Sequence, residues 1–181
     1  MSIDCVLVVG HRKSARGAAG FGIQEWTFWT QHAQTLAGML GERGVSATVK
    51  HREDTKQGYR DLPGQVLALN PRCVVSLHLN AATATATGTE TLTAAEDAED
   101  LRLGRLVQAG MVKTLGLRDR GMKPIPKGHR GASLLFGLWT VPACLIEPCF
   151  VSNPDDVAAL RGVIFELLEA IADAITEYLK G

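Results

Sequence analysis

The chain has no excess of charge of either sign: its 181 residues carry 19 Lys and Arg against 19 Asp and Glu. A protein that tracks nucleic-acid phosphates needs a basic footprint, and a balanced total argues against that role. Aromatic residues are scarce at 6%, but hydrophobic residues make up 46% and charged residues 21%, the composition of a folded domain rather than a disordered one. Long apolar runs are missing. No stretch approaches the ~20 residues a membrane-spanning helix requires, so no membrane partner is expected. The N-terminus lacks a basic n-region and a long apolar core, so no secretory signal is expected and synthesis in the cytoplasm is. The 4 cysteines, Cys5, Cys73, Cys144 and Cys149, form no CxxC pair and sit mostly within apolar runs. They read as reduced, buried small hydrophobes.

What is present is an alternation of short β-rich runs with helical patterns, the mark of an α/β domain. A length of this order fits one domain with its own core. Ile3 to Val9 reads as a buried strand, followed by a Gly-rich loop at Arg16 to Gly22. Trp26, Trp29, Ala33, Leu36, Ala37 and Leu40 then recur at helical spacing. Val45 to Lys50 reads as a strand, Tyr59 to Leu69 as a short helix stopped by Asn70-Pro71, and Cys73 to His78 as a strand rich in β-branched residues. Ala81 to Thr87 is low in complexity and reads as a mobile loop. Gly88 to Thr93 gives a strand and Leu101 to Leu115 a helix. Arg118 to Ser133, dense in Gly, Pro, Lys and Arg, reads as a long loop, and Leu134 to Leu138 and Ala143 to Ile146 as two more strands. Asn153-Pro154-Asp155-Asp156 is a helix start, with an Asn cap, Pro at the first helical position and acids in the first turn. An apolar stripe follows from Val157 to Leu179, with Gly162 able to break it into two helices.

Four residues in this frame could carry chemistry. His11, after Gly10, stands at the carboxyl end of the first strand, where open α/β sheets place their sites. His78, in Ser76-Leu77-His78-Leu79-Asn80-Ala81, ends another buried strand. Each has a plain structural reading as a hydrogen-bonding surface residue. Glu25 opens the first helix and would serve there as a first-turn acid that complements the helix dipole. Glu147 follows the apolar run Val141 to Ile146, and a carboxylate at such a place must be paired, protonated or metal-bound because burial of an isolated charge is costly. Two imidazoles and a carboxylate form a common catalytic zinc set, and a second carboxylate could act as base and then acid. No HExxH spacing occurs.

Taken together and in order, these segments resemble the zinc-dependent N-acetylmuramoyl-L-alanine amidases of the amidase-3 type, which cut bacterial peptidoglycan. The matching pieces are Gly10-His11; Glu25; Arg52 with Asp54; Ser76 to Ala81; Gly88-Thr89-Glu90-Thr91; Asp119-Arg120-Gly121; and Pro142 to Asn153. The resemblance implies one zinc ion per chain held by His11, Glu25 and His78, with Glu147 as the catalytic carboxylate and peptidoglycan as the partner. It also implies a twisted, mostly parallel sheet of about six strands flanked by helices, in agreement with the count above. Asn80 and Glu90 fall at the expected site edge, as structural hydrogen bonds or substrate contacts; Arg120 reads as fixing its loop, with substrate contact as the alternative, and His129 as a solvated loop residue or one that contacts substrate or helps stabilise the oxyanion. The chain departs from the family pattern at Val8, where an Asp is usual, and at Arg12-Lys13, where a Gly pair is usual. Phe28 and Trp29 occupy a region that commonly holds an Asn.

The expected organisation is a single catalytic domain over residues 1–181 without a wall-binding domain, made in the cytoplasm and acting on the cell wall after release, as a phage or prophage endolysin does. Two other readings stand beside it: a zinc peptidase or small amidohydrolase acting on a free peptide or acyl-amino acid, and a non-catalytic murein-binding module. The neutral total also predicts polarity, with a basic rim from Arg118 to Arg130 balanced by acids in Glu96 to Asp100 and the C-terminal helices.

Overall fold

Five consecutive buried residues, Cys5–Val9, form strand β1. A strand with no polar alternation has to be covered on both faces, and β1 lies inside a six-stranded sheet with helices on each side. It pairs in parallel with β4 (Ala47–His51) on one side and β5 (Cys73–Leu77) on the other. Beyond β5 comes β8 (Ala143–Glu147), also parallel. Strand β6 (Thr89–Thr93) then runs antiparallel to β8 and parallel to the edge strand β7 (Asp119–Pro124). The order is β4-β1-β5-β8-β6-β7, and a separate two-stranded hairpin joins β2 (Ala19–Gly20) to β3 (Ile23–Gln24). This computed structural model describes residues 3–54, 60–94, 97–128 and 132–181.

The pleat divides the core in two. Cys5, Leu7 and Val9 point to one face, where they pack with α1 (Glu25–Glu42), α3 (Ala98–Leu115) and α6 (Ile164–Lys180) through residues such as Trp29, Met111 and Ile171. Val6 and Val8 point to the other, with Val74, Leu145, Leu62 of α2 (Leu62–Leu67) and Leu135 of α4 (Ala132–Gly137). All four cysteines are buried thiols, as their apolar contexts predict. Asn153 caps α5 (Pro154–Gly162), its Oδ1 accepting from the N–H groups of Asp155 and Asp156, and the stripe does break at Gly162 before α6.

Three expectations fail, each for a physical reason. Residues 119–124, read as loop, are β7: this edge strand is exposed or half-buried throughout and is held by backbone pairing to β6, which leaves no hydrophobic alternation to read. Leu134 to Leu138, read as a strand, begins within α4. A short apolar run fits either element, and here Leu134, Leu135 and Leu138 bury one side of a helical turn. The six-strand count stands because β7 replaces that segment. The 81–87 loop, expected to be mobile, is tied down: Ala82 N–H donates to Ser152 Oγ, Asn153 Nδ2 donates to Ala86 O and Thr87 Oγ1 donates to Asp156. The fully buried Asp156 also accepts the N–H groups of Gly88 and Phe150, so its charge is spread over three donors. Of the short helix expected from Tyr59 to Leu69, α2 is present, and Tyr59 lies outside the described residues.

Asp100, in the first turn of α3, is buried under the start of β8, where its Oδ1 accepts the Ala143 N–H at 2.8 Å. Burial, opposed by that hydrogen bond and reinforced by the nearby charge of Asp97, raises its carboxyl pKa from 3.8 to about 6. A carboxyl raised in the folded state binds its proton more tightly there than in the unfolded chain, so stability falls as pH climbs from about 4 to about 6. Asp100→Asn keeps the acceptor oxygen and removes the charge. We expect it to be more stable than the parent at pH 7.5 by ~1–2 kcal/mol, after allowance for the lost favourable charge at the helix N-terminus. The gap should close toward pH 4 in urea unfolding curves; an equal gap at both pH values would contradict this account.

Candidate metal centre

The carboxyl ends of β1, β5 and β8 deliver the central side chains. The pleat that turns Val8, Ser76 and Leu145 toward α2 and α4 also sets Gly10, His78 and Glu147 on that face, since Gly10 N–H still bonds Leu77 O and His78 N–H still bonds Ile146 O. Gly10 is required here: a Cβ at this position would collide with the His78 ring, standing 2.6 Å from both ring nitrogens. His11 follows with φ 65°, a left-handed backbone uncommon for a residue with a side chain, and this swings its imidazole back over the strand ends.

Glu25 arrives from the opposite side as the first residue of α1. Its N–H bonds Ala18 O at 2.9 Å and the Trp26 N–H bonds Arg16 O at 3.0 Å, so the loop after β1 is stitched to the helix start. The carboxylate is only 2% exposed and has four neighbours. Oε1 accepts the Leu79 N–H at 3.0 Å and lies 3.0 Å from His78 Nδ1. Oε2 accepts the Ala18 N–H at 2.7 Å and lies 3.1 Å from His11 Nε2. Burial pushes its pKa up, but hydrogen bonds and charge from His11 and His78 outweigh that and bring it down to about 2. The two imidazoles meet edge to face at 5.4 Å, and one donor atom from each of His11, Glu25 and His78 falls within 4.8 Å of the others. Two ring nitrogens aimed at one buried carboxylate suit a shared cation, and this N,N,O donor set is one that zinc takes in catalytic sites, with a position left open.

Glu147 lines the same cleft, a cavity of roughly 990 Å³. Its Oε2 is buried without a hydrogen-bond partner among the described residues. Burial, and then the charges of Glu25 and Glu90, hold its carboxyl well above the usual carboxylate range. Glu90 stands directly across the antiparallel β6–β8 pair from Glu147. Its carboxylate is engaged elsewhere: Oε1 accepts from Asn80 Nδ2 and Oε2 from Arg120 Nε, each at 2.6 Å, and the Arg120 guanidinium lies 4.9 Å from the Phe150 ring centre. Asn80 lines the cleft, and Glu90, on the same face of the sheet as Glu147, ties it to Arg120 in the structural role weighed for these residues. His129 and Arg130 lie outside the described residues.

The expected basic rim takes a different form. Among the described residues, no cation of the 118–130 segment lines the cleft; Arg16, from the loop after β1, and Arg52 do. That loop was read only as Gly-rich, yet Gly17 (φ 77°) closes over the ligand cluster, where a Cβ would stand 2.7 Å from His11 Cγ. The cue in the sequence was the run of small residues Gly17-Ala18-Ala19-Gly20, a few positions ahead of the helix-opening Glu25.

A cleft at the carboxyl ends of parallel strands, with two imidazoles and a carboxylate converging at one point and an unpartnered buried carboxylate in its wall, is an arrangement metal-dependent hydrolases use. The chain belongs to the N-acetylmuramoyl-L-alanine amidase family, whose model matches residues 5–177. Over 176 residues it is 24% identical to the N-acetylmuramoyl-L-alanine amidase LytC of Bacillus subtilis, covering 94% of this chain but 34% of LytC, so it spans about a third of that relative's length. The catalytic domain of CwlV, an N-acetylmuramoyl-L-alanine amidase from Bacillus (Paenibacillus) polymyxa var. colistinus, superposes with a TM-score of 0.80 at 26% identity over 99% of both chains. An endolysin catalytic domain targeting Clostridia difficile shares the fold with a TM-score of 0.78 at 22% identity, over 98% of this chain and 97% of its own. The six-stranded, mostly parallel α/β fold expected from sequence is thus the fold of this family.

Proposed function

We propose that the protein hydrolyses the amide between the lactyl group of N-acetylmuramic acid and the L-alanine that begins the peptidoglycan stem peptide, with residues 1–181 acting as one catalytic unit. The observation that carries this reading is the convergence of His11, Glu25 and His78 with the unpartnered carboxylate of Glu147 in one cleft of a chain belonging to the amidase family. His11, Glu25 and His78 would hold one zinc ion, matching the donor set found there. Bound zinc supplies Lewis acidity, which brings the deprotonation of water near neutral pH and polarises an amide carbonyl.

The protein's own groups do the rest. Glu147 takes the proton from the attacking water as the new C–O bond forms, and gives it to the L-alanine nitrogen as the C–N bond breaks. Its surroundings raise its proton affinity, which suits the second step; a divalent cation held by His11, Glu25 and His78 would oppose that rise and suit the first. The Asn80–Glu90–Arg120 chain links the end of β5 to β6 and β7 beside Glu147. The products are a glycan with free lactyl groups and a peptide with a free N-terminus. No helix among the described residues is long and apolar enough to cross a membrane, and the site of action in this reading is the cell wall.

The test is digestion of purified peptidoglycan by the zinc-loaded protein, followed by mass spectrometry. The expected products are peptides beginning with L-alanine and glycan bearing free lactyl carboxylates. Cleavage inside the stem, with L-alanine still attached to muramic acid, would establish a peptidase instead and overturn the reading.

A further inference from the structure

The cleft is charged unevenly. Its acidic lining residues, Glu25 and Glu147, are held in the centre and the wall, whereas Arg16 sits at the edge formed by the loop after β1. Arg12 and Lys13 are exposed on the same loop, which two acids reach: Glu53, whose Oε2 accepts the Lys13 N–H at 3.3 Å, and Glu25, whose Oε2 accepts the Ala18 N–H. Arg16 is held in place from two sides. Its Nε donates to Lys13 O at 3.0 Å, and its guanidinium carbon lies 5.6 Å from the centre of the Trp26 ring. Its terminal nitrogens have no partner among the described residues, and the next residue, Gly17, touches Glu25 and His11. The result is a pre-oriented, half-satisfied fork of donors one residue from the ligand cluster. A planar guanidinium in that state fits a carboxylate, and because its side chain is already ordered, little further entropy is lost on binding.

We infer that Arg16 binds a carboxylate of the substrate on the peptide side of the scissile amide. This inference rests on the amidase reading given above and adds a specificity to it. In the stem peptide the residue after L-alanine is D-glutamate linked through its side chain, which leaves its α-carboxylate free; in some walls that group is amidated. A carboxylate there lies two residues from the bond to be cut. The Arg16 edge therefore fixes the direction of the substrate, with the peptide leaving across the loop after β1 and the glycan toward β6 and β8.

The experiment compares two soluble muramoyl tripeptides, MurNAc-L-Ala-γ-D-Glu-L-Lys and its α-amidated isoglutamine counterpart, using zinc-loaded parent, Arg16→Gln and Arg16→Lys. The parent is expected to prefer the free carboxylate by about tenfold in kcat/KM, the size of one charge-assisted hydrogen-bonded contact. In Arg16→Gln the ratio should fall to within about twofold of unity, with zinc content retained, and Arg16→Lys should restore part of it. A parent that cleaves both substrates equally, or an Arg16→Gln variant that keeps the parental ratio, overturns the inference. The amidase reading fails separately, on the purified-peptidoglycan digestion described above; a parent active there that cleaves neither tripeptide is examined by binding. Titration with the peptides L-Ala-γ-D-Glu-L-Lys and its α-amide then decides the role of Arg16: a preference for the carboxylate that disappears in Arg16→Gln supports it, and equal binding by the parent overturns it.

Discussion

Glu147→Gln is expected to fold, to keep its zinc and to lose about three orders of magnitude in kcat on purified peptidoglycan, the scale of a general acid–base group. The substitution preserves the volume of the side chain at the end of β8 and removes only its capacity to carry a proton. Since the Oε2 atom has no partner among the described residues, no structural hydrogen bond depends on it. In the parent, kcat/KM should fall on the acidic side as Glu147 acquires its proton, because only the carboxylate can receive one from water. Turnover by Glu147→Gln within tenfold of the parent would remove Glu147 from the chemistry.

His78→Ala and His11→Ala should differ from that variant in kind. Each removes one of three donors, so zinc binding itself is lost, by at least about a hundredfold in affinity, and activity goes with it. The His78 change also releases Glu25, because the imidazole facing Oε1 is gone and only the Leu79 N–H remains there. Metal analysis of the purified variants separates the two classes: a full zinc complement in Glu147→Gln, and less than a tenth of one in the histidine variants. One zinc per chain in either histidine variant would show the ligand assignment to be wrong.

The strand ends that carry His11, His78 and Glu147 were legible because buried parallel strands are written as unbroken apolar runs, and a polar residue at the end of such a run stands out. Glu25 was found as a helix-opening acid, although its partners could not be read: they are the backbone N–H groups of Ala18 and Leu79, which any sequence would supply. The same limit hid β7, whose pairing is entirely a matter of main-chain groups on an edge, and the hairpin of β2 and β3. The α4 segment was misread because four or five apolar residues carry too little periodicity to separate a helical turn from a strand. Arg16 went unremarked for a further reason. Its significance comes from Trp26 and Lys13 O fixing its direction, and direction is not a property of composition.

The proposed ligand set draws on residue 11, residue 25 and residue 78, and the carboxylate opposite on residue 147. No local segment holds two neighbouring donors, so the site does not exist until β1, β5 and β8 have been laid side by side and α1 has docked across their ends. With zinc held there as proposed, zinc affinity and folding stability are one linked equilibrium: each tenfold rise in free zinc above its dissociation constant would add ~1.4 kcal/mol to the folded state. In the proposed reading, the metal that serves the reaction also lowers the population of unfolded chain open to proteolysis.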